Sequence, residues 1–116
     1  MKTLIFRVEG NCKPKERPRL GRRGRVYTPK ATLAYESKVR GMALQKKAKA
    51  SDLRVRLYCE FNFSTRHRRD IDNCVKTVMD GLNGVAWEDD AQVVHLEAHK
   101  FYNKGNGYTF VRVEYY

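Results

Sequence analysis

Apolar and polar residues alternate strictly from Leu53 to Phe63. Leu53, Val55, Leu57, Cys59, Phe61 and Phe63 are separated by Arg54, Arg56, Tyr58, Glu60 and Asn62. A period of two over six apolar positions predicts a strand with one buried face. The rhythm then changes. Ile71, Val75, Val78, Met79 and Leu82 form the apolar stripe of a helix over about 72–82, and Asn83-Gly84 stops it. Upstream, residues 2–9 read as a first strand ended by Gly10. Thr28-Pro29 is an N-cap followed by a first-turn proline. It opens a helix that runs to about residue 50, with Leu33, Ser37, Arg40, Leu44 and Lys47 on one face. Residues 92–102 and 108–116 read as strands, and the Gly- and Asn-rich turn between them predicts a hairpin. The order β-α-β-α-β-β predicts one α+β domain over residues 1–116, a mixed sheet with two helices on one face.

The segment between the first strand and the first helix has no periodicity. Pro14, Pro18, Gly21 and Gly24 break it, so residues 13–28 read as a long loop, and loops of this length are commonly functional. Its charge changes the picture. Residues 13–30 carry Lys13, Lys15, Arg17, Arg19, Arg22, Arg23, Arg25 and Lys30 against Glu16 alone. The whole chain has a net charge of +11 and a pI near 9.8, which points to a polyanionic partner, nucleic acid first. A second basic cluster, Arg66, Arg68 and Arg69, ends the strand that starts near Leu53. No apolar run is long enough to span a bilayer or form a signal sequence, so a membrane role is not expected. Three cysteines without ligand spacing read as free thiols of a reducing cytoplasm.

Against this basic background the acids stand out. Asp70 and Asp72 follow the arginines where the second helix begins. Two extended residues apart, their side chains point the same way, and carboxylates are the preferred ligands of hard divalent cations. Glu88, Asp89 and Asp90 cluster beyond the helix. A helix of this length carries the chain about 16 Å away, and the following strand can return it alongside. Lys76 lies one turn after Asp72, and Asp80 one turn after Lys76, placed to orient it. The plain alternatives are that Asp70 or Asp72 caps the helix, that Asp72 and Lys76 form a surface pair, and that the acidic triplet is a solubilising turn. His67, His95 and His99 have no mutual metal-ligand spacing.

The stretch RRDIDNCVKTVMDGLNGVAWEDDAQVV, with the basic KPKERPRLGRRGRVYTPKATLAYE before it, resembles the RusA family of Holliday junction resolvases found in bacteria, prophages and phages. The resemblance covers nearly the whole chain. It implies a small homodimeric α/β enzyme of DNA recombination and repair that cuts four-way DNA junctions by paired symmetric nicks, using Mg²⁺ or Mn²⁺. It also implies Asp70, Asp72 and Asp90 as catalytic metal ligands and Lys76 as a catalytic lysine, with Asn73, Asp80 and Asp89 in support. Asp89 competes with Asp90 for the third ligand position. Two other readings stay open: a nuclease with another branched target, such as a flap or fork, and a non-catalytic basic nucleic-acid-binding module.

Overall fold

The computed structural model describes residues 2–16, 19, 20, 24, 26, 27 and 29–116. The elements in chain order are β1 (Lys2–Glu9), β2 (Arg19–Leu20), β3 (Val26–Tyr27), α1 (Lys30–Gln45), β4 (Val55–Phe63), α2 (Ile71–Leu82), a 3-10 turn at Asp90–Gln92, β5 (Val93–Tyr102) and β6 (Tyr108–Tyr115). Four strands form one mixed sheet in the order β1-β6-β4-β5. β2 and β3 pair with each other inside the basic loop. The α+β class and the two helices are as expected.

The alternation in β4 gives it a central place in the sheet. Val55, Leu57, Cys59 and Phe61 are fully buried, in line with Leu4, Phe6 and Val8 of β1 and Val111 and Val113 of β6. They share one core with Val39 and Ala43 of α1 and Cys74, Val78 and Leu82 of α2. The only tryptophan, Trp87, is buried in the turn after α2. All three cysteines are free and buried, and burial pushes the Cys59 thiol up to about 12.

Three local expectations are corrected. First, β5 and β6 do not form a hairpin. β5 runs parallel to β4, and β6 runs antiparallel on β4's other side. The turn therefore crosses the end of β4, where Asn103 N–H donates to Phe63 O at 2.8 Å. Second, α1 ends at Gln45 instead of near residue 50. Lys46, Lys47 and Ala48 N–H groups fold back onto the carbonyls of Met42, Ala43 and Leu44, and Lys47 takes a left-handed φ of 62°, a common helix stop. Third, the buried face of α1 is Thr32, Tyr35, Val39 and Ala43. Leu33 and Leu44 are about half exposed. Tyr35 is held in the core by a 2.7 Å hydrogen bond between its hydroxyl and that of Thr109. Leu53 is also exposed, just ahead of β4. The proposed Thr28 cap lies outside the described residues.

The helices meet at Gly81. A Cβ there would sit 2.9 Å from Glu36 O and 3.0 Å from Val39 Cβ. Gly81→Ala would gain up to about 1 kcal/mol of helix propensity. It would also force α1 and α2 apart, an overpacking cost of about 1–3 kcal/mol. The packing term wins, and the variant is expected to unfold at lower urea concentration than the parent, by circular dichroism.

Candidate active site

The site is built where β4 hands over to α2. Asp70 occupies the N-cap position of α2 with extended backbone (φ −82°, ψ 129°), yet its carboxylate makes no capping hydrogen bond. Its side chain is half exposed and lies 3.7 Å from Arg68 Nε. Asp72, in the first helical turn, accepts one bond from Asn73 N–H at 2.9 Å. Asp70 and Asp72 line one polar recess with Pro14, Lys15, Glu16, Arg68, Arg69 and Asn73. This recess joins the basic loop to the aspartates. Two carboxylates at the positive end of a helix, with lone pairs facing solvent, have the oxygen-donor chemistry a hard divalent cation requires.

The arginines divide by role. Arg68 is nearly fully exposed. Arg69 is folded inward: its guanidinium donates to Thr65 O, His67 O and Thr65 Oγ1 and lies 4.2 Å from the centre of the Phe63 ring. It shapes the loop rather than reaching out. Arg66 stacks over Tyr102 at 4.1 Å. Lys100, which the sequence pattern did not single out, donates to Arg69 O at 2.7 Å and fixes the backbone one residue before Asp70.

In the basic loop, Lys13 and Lys15 are held against α2. Thr77 Oγ1 donates to Lys13 O at 2.7 Å, and Lys15 N–H donates to Asn73 O at 2.8 Å. Arg19 belongs to β2 by its backbone. Arg17, Arg22, Arg23 and Arg25 lie outside the described residues.

Asp89 and Asp90 separate cleanly. Asp89 caps the 3-10 turn in a reciprocal box with Gln92. Asp90 Oδ1 accepts from the indole Nε1 of Trp87 at 2.8 Å, and its other oxygen has no hydrogen bond among the described residues. Asp89 is thus engaged in local structure, while Asp90 is oriented and half free. Trp87 is the partner that sequence reading missed; its only signal was an aromatic donor three residues before an acid.

Lys76 pairs with Asp80, not Asp72, at 2.9 Å. That hydrogen bond raises the Lys76 pKa, with smaller contributions from the fields of Asp80, Asp90 and Glu36. Lys76 is therefore an ammonium throughout the neutral range, a fixed cation rather than a base.

Within one copy the three aspartates are not gathered. Among the described residues no three His, Cys, Asp or Glu side chains are close enough to hold a metal ion. The topology explains this. The twelve residues of α2 carry the chain about 18 Å from Asp70, and Asp90 lies at the far end. The returning strand is β5, which begins after Asp90, so the residue it brings back to Asp70 is Lys100.

Comparison with known proteins bears on this arrangement. Residues 9–114 match the family described as endodeoxyribonuclease RusA. The chain belongs to that family. The match spans both basic clusters and all the candidate aspartates. A stretch of 35 residues is also 51% identical to the uncharacterized protein YqaN of Bacillus subtilis (strain 168), covering 30% of this chain and 25% of that protein. The chain thus aligns with about a quarter of that relative's length. Among the described residues of this RusA-family chain, no helix is long and apolar enough to cross a membrane.

Trp87→Phe keeps the ring in the core and removes the N–H that holds Asp90. If Asp90 serves the reaction, cutting of branched DNA is expected to fall by about 10–100-fold, the usual cost of losing a ligand's orienting partner. Far-ultraviolet circular dichroism should remain that of the parent.

Proposed function

We propose that this RusA-family protein is a divalent-metal-dependent endodeoxyribonuclease that resolves four-way DNA junctions by paired symmetric nicks as a homodimer. The observation that carries the reading is Asp70: an aspartate at a helix N-cap whose carboxylate does not cap. A structural acid at that place would bond the helix N–H groups. Here it faces a recess lined by Arg68, Lys15 and Asp72. A basic chain that only bound DNA would have no use for carboxylates beside its phosphate contacts.

Mg²⁺, or Mn²⁺ in its place, would be held by Asp70, Asp72 and Asp90 and would supply Lewis-acid chemistry, an activated water and a neutralised phosphate. The protein's own residues do the rest. Arg68 and the arginines of the basic loop hold the DNA backbone. Lys76 places a permanent positive charge where negative charge builds on the phosphate. Lys100 and Arg69 keep the Asp70 loop in shape.

A second copy would account for the separation of Asp90 from Asp70. A strip of Ile71, Val75, Met79, Leu96 and Ala98 runs between α2 and β5, bordered by Asp72 and Lys76. Ile71 and Leu96 are exposed. A two-fold axis perpendicular to α2 would set the two α2 helices antiparallel and turn one copy's Asp90 end towards its partner's Asp70 end. The tyrosine-rich C-terminus is the weaker interface: Tyr115 is buried and donates to Ala86 O, which leaves only Tyr116 exposed. Met79→Asp is expected to convert a dimer to a monomer in light scattering and to abolish paired cutting.

Asp70→Asn tests the chemistry. Cutting of a labelled synthetic four-way junction should fall more than about 100-fold, beyond the loss of a mere supporting partner. Junction affinity should hold or rise, because a negative charge beside phosphate is gone. Equal cutting of forks or flaps would favour a different branched-DNA nuclease. Loss of binding together with cutting would make Asp70 structural.

A further inference from the structure

Lys15 belongs to the basic cluster of residues 13–30, and its ammonium is engaged by carboxylates. Its ammonium lies 3.3 Å from Glu36 Oε1 on α1 and 3.1 Å from Asp80 Oδ2 on α2. Asp80 uses its other oxygen, Oδ1, to hold Lys76 at 2.9 Å. The four groups form one line of alternating charge, Glu36–Lys15–Asp80–Lys76. The side chains of Glu36, Lys15 and Asp80 are only 14%, 21% and 20% exposed, while Lys76 is 55% exposed at the outer end. Poorly solvated charges screen one another little and answer strongly to the loss of a partner. The line is also pinned by backbone: Lys15 N–H bonds Asn73 O, and Arg40 Nε bonds Gly81 O.

We infer that Lys15 is a positioning residue: by neutralising Glu36 and Asp80 together, it leaves Asp80 Oδ1 to hold the Lys76 ammonium out toward the scissile phosphate. This rests on the proposed role of Lys76. With Lys15 gone, Glu36 and Asp80 face each other unscreened. Lys76, already bonded to Asp80, is then drawn inward between two carboxylates and off the site. The root of the basic loop and the reaction centre share one lysine, so the loop's seating on α2 sets the position of Lys76.

Four variants test this: Lys15→Met, Lys15→Arg, Glu36→Gln and the double variant Lys15→Met/Glu36→Gln. Lys15→Met is expected to cut bound junction about 10–100-fold more slowly, with junction affinity and its salt dependence unchanged. Arginine can bridge both carboxylates, so Lys15→Arg should retain most activity. The double variant should cut faster than Lys15→Met, because Glu36 no longer pulls on Lys76. A second readout needs no cutting: the ¹⁵N signal of the Lys76 ammonium, assigned by its loss in Lys76→Met. It should shift in Lys15→Met and return towards the parent in the double variant. Should the parent cut no junction at all, the nuclease reading fails while this signal still tests the charge line. Weaker binding with a salt slope reduced by about one and an unchanged rate on bound DNA would make Lys15 a phosphate contact. An unmoved Lys76 signal would likewise overturn the inference.

Discussion

The parallel pairing of β4 with β5 is the constraint from which the candidate site follows. Parallel neighbours cannot be joined by a tight turn; they need a crossover, and a helix is the usual one. Here α2 is that crossover. Its start must lie at the C-terminal end of β4 and its finish at the N-terminal end of β5. Asp70 and Asp72 stand at the first point, Asp90 near the second, and Lys76 and Asp80 between them. The pairing also makes β5 an edge strand, exposed along most of its length. That exposure leaves the apolar strip beside α2 open to a second copy.

The sheet has two unlike faces. One carries both helices and the core. The other is a mosaic of short-range pairs: Arg7 with Glu9, Arg112 with Glu114, His99 with Glu97, and Tyr58 with Glu60. Local pairing leaves that face little net charge to offer a polyanion. Among the described residues, Arg66, Arg68 and Arg69 lie in the loop that leads to Asp70, and a further basic group, Lys38, Arg40, Lys46, Lys47 and Lys49, lies on and just after α1.

Much of this was legible in the sequence. Strong periodicity was enough for β4 and α2, because the buried positions there are also the most apolar ones. α1 was harder: its buried face includes Thr32 and Tyr35, the latter made acceptable by a hydrogen bond to Thr109 that hydropathy does not register, while Leu33 and Leu44 remain in water. The β5–β6 hairpin was misread because a short Gly- and Asn-rich turn looks the same whether it joins neighbours or steps over a strand. At the site, residue types named Asp70, Asp72, Lys76 and Asp90, and family resemblance added their roles. Partnerships across the fold were invisible. Nothing near Lys15 announces Glu36 or Asp80, and nothing near Arg69 announces Lys100, because those contacts exist only once α1, α2 and β5 are packed.

Trp87 has one more consequence. It is the chain's single tryptophan, fully buried, and its indole N–H is bonded to an aspartate of the candidate site. Indole emission is sensitive to the charge and hydrogen bonding of its immediate neighbours. The molecule thus carries a native optical probe wired to Asp90. Any ion or partner that draws that carboxylate away from the ring will change the colour and yield of the protein's own fluorescence, with no label and no substrate.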